Sequence, residues 1–250
     1  MPQPLCLVLR LGTIPYEEAW KLQDRLATQI AAGEHPPALL LLEHPNTYTF
    51  GRRGQAKNLI WDEHELARRG IRVHWVDRGG DVTYHGPGQL VGYPLLPLPT
   101  AGLHIEPDSS AARIPQADYV GYVRKLEEVL ILALGQLGVT GQRISGLTGV
   151  WVQRSRASQA LPLSGTAAEM AKIAAIGVKV DARGVTRHGF ALNVNPDMSY
   201  WQGIIACGLE GSAVTSLAEM LPEEPSMAQV VEAVMQSFCE VFGYTLSHPA

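Results

Sequence analysis

A thiol is the strongest nucleophile a side chain offers near neutral pH, and this 250-residue chain has three: Cys6, Cys207 and Cys239. The attacking species is the thiolate, and a free thiol, with a pKa of about 8.5, needs a stabilising neighbour to reach it. Cys6 lies within an apolar run. Cys239 follows Met235 by one helical turn in a segment that is apolar over most of its surface. Both read as small buried hydrophobes. Cys207 has a different setting. It follows Ile204-Ile205-Ala206, sits beside Gly208 and precedes Gly211, where a strand or turn gives way to loop. Its residue type leaves two readings open, nucleophile or core residue. Lys172 taken alone reads as a solvated charge where a strand begins.

The second stretch able to do chemistry is Arg78-Gly79-Gly80-Asp81-Val82-Thr83-Tyr84-His85-Gly86-Pro87-Gly88-Gln89-Leu90-Val91-Gly92-Tyr93-Pro94. Paired glycines let a backbone approach a ligand closely, and they weaken a strand that has no such duty. Arg78 is either an anion binder or the partner of a carboxylate. His85 is either a site histidine or a satisfied core one. No Cys/His spacing of a zinc site occurs, so no metal is expected.

These residues need a scaffold. Residues 4–10 read as a strand, and Pro15 opens an amphipathic helix with Ala19, Leu22, Leu26 and Ile30 on one face. The apolar run Ala38 to Leu42 is a strand, followed by the turn Glu43-His44-Pro45-Asn46. Ile71–Val76 is another strand, and Thr83–Leu96 is expected to be a strand pair about Gly86-Pro87-Gly88. Pro97–Arg113 reads as a loop. A long helix follows Pro115, with Tyr119, Tyr122, Val123, Leu126, Leu130 and Leu134 expected on its buried side. Strands are expected at Val150–Gln153, Ile173–Val180 and Phe190–Val194, and Arg154–Met170 is a loop or a short helical insertion. Ser216 with Glu219 and Ser226 with Gln229 predict capping boxes, the second helix stopping at Gly243. This irregular order gives an α/β chain of the α+β type: a mixed sheet packed with helices, one domain over residues 1–250.

Composition narrows the function classes. Hydrophobic residues make up 46% and charged residues 18%, which describes a globular core and not a disordered chain. The net charge of −4 argues for no nucleic acid. No apolar stretch reaches membrane-span length and no signal peptide is read, so no membrane is expected. Three cysteines make no disulfide framework, and a cytoplasmic setting fits.

The pattern Arg-Gly-Gly-x-x-Thr-Tyr-His-x-x-Gly-Gln-x-x-x-Tyr over residues 78–93 resembles the signature of the lipoyl(octanoyl) transferase family. Further segments stand in the order that family shows. They are Glu43-His44-Pro45 with Tyr48-Thr49-Phe50-Gly51-Arg52-Arg53-Gly54, then Gly149–Val152, Lys172–Val178, His188–Val194 and Cys207-Gly208. The resemblance runs from about residue 36 to residue 220. It implies the fold of the biotin/lipoate protein ligase catalytic domain. It also implies a catalytic pair, Cys207 and Lys172. Residues lining the acyl site would be Arg78, Gly79, Gly80, Asp81, Val82, Thr83, Tyr84 and His85, then Ala175, Ile176 and Gly177, then Gly189, Phe190 and Ala191. His188 is expected to cap a strand start, with a polar role beside the site as the other reading. Lys179 is the neighbouring lysine that the resemblance passes over.

The implied reaction moves an octanoyl (or lipoyl) group from acyl-carrier protein to a lysine. The acceptors would be the lipoyl domains of 2-oxoacid dehydrogenases and glycine cleavage H protein. Cys207 would carry the acyl group as a thioester, with Lys172 as the proton-transfer partner. Passing from thioester to amide is downhill, so no cofactor is implied. Arg52, Arg53, Lys57 and Arg78 could form a basic rim for the acidic carrier, and for all but Arg78 an ordinary solvated charge is the equal alternative. Two alternatives remain: an ATP-dependent lipoate- or biotin-type ligase, and a non-catalytic carrier-binding module. The chain departs from the family pattern at Arg154–Met170, which is longer than usual, and around Asp181–Gly184, where one residue is added.

Overall fold

The computed structural model describes residues 3–98, 118–153, 170–206 and 213–248. In chain order the first half holds β1 (Leu5–Thr13), α1 (Tyr16–Ala31), β2 (Ala38–Glu43), β3 (Thr47–Phe50), α2 (Glu63–Arg68), β4 (Arg72–Trp75), β5 (Val82–His85) and β6 (Gln89–Leu95). The second half holds α3 (Tyr119–Gln136), β7 (Gly141–Ile144), β8 (Leu147–Gln153), β9 (Met170–Val180), β10 (Thr186–Asn193), β11 (Ala213–Val214), α4 (Leu217–Met220), α5 (Met227–Phe242) and β12 (Thr245–Ser247). The expected mixed α/β architecture is present. Its large sheet has the order β12-β1-β2-β6-β10-β9-β8-β7, with β11 added on β9, and a three-stranded sheet has the order β4-β3-β5.

The two-residue period of the central strands explains how the helices are placed. Leu39 and Leu41 of β2, with Leu90 and Leu192, face the core under α3 and α5, among Leu126, Leu130, Val234 and Phe238. Leu40 and Leu42, with Val91 and Ala191, face the opposite core under Ala19, Leu26 and Ile30 of α1. A strand covered on both faces must be apolar throughout, which is why residues 38–42 show no alternation in sequence. Tyr48, Phe50, Val82 and Tyr84 form a third core beneath the small sheet.

Several expectations are corrected. Thr83–Leu96 is not a paired hairpin: β5 pairs with β3 in the small sheet, whereas β6 pairs with β2 and β10 in the large one. The Gly86-Pro87-Gly88 turn therefore carries the chain from one sheet to the other. Tyr119 is 41% exposed instead of buried, because it opens α3 and reaches sideways to donate to the Val178 carbonyl at 3.0 Å. At Ser216 only half a capping box forms. Its hydroxyl accepts from the Glu219 N–H, while the Glu219 carboxylate accepts from Thr215 Oγ1 instead. Ser226 and Gln229 do form the reciprocal box, and α5 ends at Gly243 in the left-handed region. Arg154–Glu169 and most of Pro97–Arg113 lie outside the described residues.

Candidate active site

A pocket of about 480 Å3 lies where the two sheets meet, within the roughly 300–1,000 Å3 range of small-ligand sites. One wall is the loop and strand from Arg78 to Thr83, with His85. The facing wall is β9 from Ala175 to Val178 and β10 from His188 to Ala191. Tyr119 and Val123 of α3 and Leu147 of β8 close a third side, and Lys172 also lines the space. The pocket brings together every acyl-site residue expected from sequence except Tyr84, whose hydroxyl instead donates to Asn46 Oδ1 at 2.9 Å in the third core.

The two walls touch because side chains are missing. Gly79 N–H donates to the Val178 carbonyl at 2.9 Å, laying the loop across β9. A Cβ on Gly177 would stand 3.0 Å from both the Gly79 carbonyl and Arg78 Cδ. Arg78 is buried and braces the first wall from within. Its guanidinium donates to the Thr49 carbonyl at 2.5 Å, to Thr49 Oγ1 at 2.9 Å and to the Gly79 carbonyl at 2.9 Å. It is thus a wall residue and not part of an exposed rim, unlike the exposed Arg52, Arg53 and Lys57.

Lys172 is not the solvated charge that its residue type suggests. It is the third residue of β9 and only 8% exposed, with Nζ 4.7 Å from the centre of the Trp151 ring. Trp151 of β8 pairs with it on one side and Val214 of β11 on the other. Gly149, held at φ 110°, lets β8 pass: a Cβ there would lie 2.5 Å from the Ala174 carbonyl.

Cys207 lies outside the described residues, but both ends of its segment are fixed. On one side the Ile205 N–H donates to the Asn58 carbonyl, and Asn58 in turn donates through Nδ2 to the carboxylate of Asp81 in the pocket wall. On the other side β11 runs parallel to β9, with Val214 opposite Lys172. Of the remaining thiols, Cys6 is buried, and burial pushes its pKa up to about 12; burial raises Cys239 as well. Neither is poised as a thiolate at neutral pH.

The end of the pocket away from Lys172 is polar. His188 does not cap a strand start. It is the third residue of β10, and its φ of 58° is the one left-handed non-glycine backbone among the described residues. Its Nε2 hydrogen-bonds Asp77 Oδ1 at 2.8 Å, and its Nδ1 faces the Tyr16 hydroxyl at 3.4 Å. The His188 hydrogen bond, joined by those of Lys179 and Arg187, holds the Asp77 carboxyl well below the usual carboxylate range. Lys179 is thereby engaged with Asp77, seven positions along β9 from Lys172. Burial lowers the His188 and His85 pKa values, and lowers His44 to about 4. Tyr16 and Tyr93 line the pocket and are not singled out as lining residues from sequence; His188 lines it too, in keeping with a polar role beside the site and not with a strand cap. An aromatic at residue 16 reads as an ordinary helix position until the sheets are assembled.

This mixed sheet flanked by helices on both faces shares its fold with solved lipoate protein ligases. The putative lipoate protein ligase Ta0514 of T. acidophilum with bound lipoic acid superposes with a TM-score of 0.64, covering 100% of this chain and 89% of that one at 16% identity. Lipoate-protein ligase A bound with ATP gives 0.62, over 100% and 90%, also at 16% identity. At such identities the likeness establishes the fold. Sequence goes further: residues 15–239 match the lipoyl protein ligase A/B catalytic domain, and the chain belongs to that family. The octanoyltransferase of Chloroflexus aggregans is 45% identical over 235 residues, 94% of each protein. That of Chloroflexus aurantiacus is 43% identical over 232 residues, 93% of this chain and 92% of its own length.

Proposed function

We propose that this chain is an octanoyltransferase acting in protein lipoylation, a single catalytic domain that takes octanoyl from acyl-carrier protein and delivers it to a lipoyl-domain lysine. The octanoyltransferases named above support the reaction class. The observation that carries the assignment to a site is the buried amine of Lys172, which lines a pocket at the strand that β11 joins just after the Cys207 segment.

In this reading the Cys207 thiolate attacks the thioester carbonyl. A C–S bond to Cys207 forms and the bond to the carrier's thiol breaks, that thiol leaving with a proton supplied through Lys172. The acceptor lysine, as a free amine, then attacks the acyl-enzyme. The amide forms, Cys207 leaves as thiolate, and Lys172 takes the amine's proton. An ammonium buried against Trp151 stabilises a nearby thiolate more than an exposed one would. The apolar surface of Val82, Val123, Ile176 and Phe190 suits an alkyl chain. Exposed Arg52, Arg53 and Lys57 suit an acidic carrier.

The test is intact-protein mass spectrometry after mixing with octanoyl-carrier protein and no acceptor, beside a Cys207→Ser control. An octanoyl adduct that hydroxylamine removes, present on the wild type only, is expected. Transfer to a lipoyl domain that survives in Cys207→Ser at the wild-type rate would overturn the covalent route. Transfer only when ATP and free octanoate are supplied would make the chain a ligase.

A further inference from the structure

One buried hydrogen-bonded chain runs from the pocket to the strand beside Lys172, and it is built from two residues with no role so far. His85 Nδ1 lies 2.8 Å from Gln89 Oε1. Gln89 Nε2 donates to the Tyr84 carbonyl at 3.1 Å and to Asn193 Oδ1 at 2.9 Å. Asn193 Nδ2 donates to the Thr215 carbonyl at 2.9 Å. The N–H of that same Thr215 donates to the Lys172 carbonyl at 3.0 Å. His85, Gln89 and Asn193 are all buried.

The polarity of this chain is determined by its ends. Backbone carbonyls only accept, so the Thr215 carbonyl requires the Asn193 amide nitrogen, which turns Asn193 Oδ1 toward Gln89. Gln89 Nε2 spends both hydrogens, on Tyr84 and Asn193, leaving Oε1 as a pure acceptor. His85 must then carry its proton on Nδ1, and Nε2 is left as the acceptor. The far side agrees. Thr49 Oγ1 already accepts from Arg78 at 2.9 Å, so its own hydrogen is available for His85 Nε2 at 3.4 Å.

We propose that Gln89 and Asn193 are positioning residues for the transfer reaction: they hold the pocket histidine His85 as its Nδ1–H tautomer and pin the Thr215 peptide, and with it the strand that follows the Cys207 segment, against Lys172. This rests on the transferase reading for its kinetic consequence but not for its structural one. Thr215 is held on both sides, by Asn193 at its carbonyl and by Lys172 at its N–H, so releasing Asn193 loosens the end of the segment nearest the lysine. The acyl pocket itself is walled by other residues and keeps its shape.

The experiment compares wild type, Asn193→Ala and Gln89→Glu. Imidazole nitrogen NMR reads the His85 tautomer, and steady-state transfer separates kcat from KM. In the wild type His85 is expected neutral at pH 7, protonated on Nδ1. Asn193→Ala is expected to lower kcat about tenfold, the equivalent of one hydrogen bond's ~1.4 kcal/mol, with KM for the octanoyl donor within about twofold. Gln89→Glu places a carboxylate on Nδ1 and is expected to raise the pH at which His85 titrates. The groups facing that ring from the other elements, Tyr16, His44, Arg78 and His188, remain as they are. A wild-type His85 protonated on Nε2 would overturn the proposal. So would a folded Asn193→Ala enzyme with unchanged kcat. If Asn193→Ala does not fold, the wild-type tautomer and the Gln89→Glu titration decide. The tautomer needs no turnover, so failure of the transferase reading shows separately, as absence of the Cys207 adduct.

Discussion

Acid should unfold this protein through a histidine that never meets solvent. His44 is fully buried, its Nδ1 bonded to the Ile14 carbonyl at 2.8 Å and its Nε2 to the Tyr93 hydroxyl at 2.8 Å. The carbonyl requires the proton on Nδ1, so Nε2 accepts from Tyr93 and the ring is neutral. Burial lowers its pKa from 6.5 to about 4. Between those two values the unfolded chain holds a proton that the folded chain does not, so stability rises with pH across the window and is lost as pH falls. Integrating from pH 7.5 down to 4.5, this one ring costs about 2 to 3 kcal/mol of the folding free energy. Urea unfolding at both pH values measures it, beside a His44→Gln variant. Glutamine can still donate to Ile14 and accept from Tyr93 but does not titrate. The wild type should lose about 2 to 3 kcal/mol more than His44→Gln over that interval. If the two lose stability in parallel, the argument from this ring is wrong.

Three further outcomes are expected. Lys172→Met keeps the length and burial of the side chain but no ionisable group. Transfer to a lipoyl domain should fall by about 10²–10⁴ with the fold retained by circular dichroism, and a loss under about tenfold would remove Lys172 from proton transfer. Gly149→Ala should cost about 1–3 kcal/mol in urea unfolding, since φ 110° and a carbonyl 2.5 Å from the new Cβ both oppose it. Gly177→Val adds its branches into the pocket between Arg78 and Gly79. Its kcat/KM should fall at least about tenfold for octanoyl donors and less for butyryl donors, and equal losses would place the alkyl chain elsewhere.

The chain's strands and helices are readable where burial follows a period. β2 shows as an unbroken apolar run because both faces are covered, and α1 and α5 show as stripes with recognisable ends. Several of the short elements are not readable. β3, β7, β11 and β12 have two to four residues each, too few for a period to declare itself, and their pairing depends on partners distant in sequence. The Gly-rich stretch is legible as a place where backbone must come close to something. That it serves two sheets is not, since the turn residues are those of an ordinary hairpin. Lys172 could be singled out by resemblance alone: a lysine near a strand start is solvated in most proteins, and here β8 and β11 cover it from either side. For His188 the sequence leaves a strand cap and a polar neighbour of the site both open, because nothing in a histidine's surroundings in sequence announces a left-handed backbone.

The passage of residues 82–95 from one sheet to the other bears on how a substrate gets in. The wall that ends in β5 continues through the Gly86-Pro87-Gly88 turn into β6, which is hydrogen-bonded to β10 of the facing wall. That corner is riveted by the Glu43 carboxylate on the Gly88 N–H and by the Gly88 carbonyl, which accepts from Val194 and Asn195. A wall anchored through β6 to its opposite has little freedom to swing away from it. Walls tied in this way keep their spacing, so an alkyl chain would meet a slot already formed.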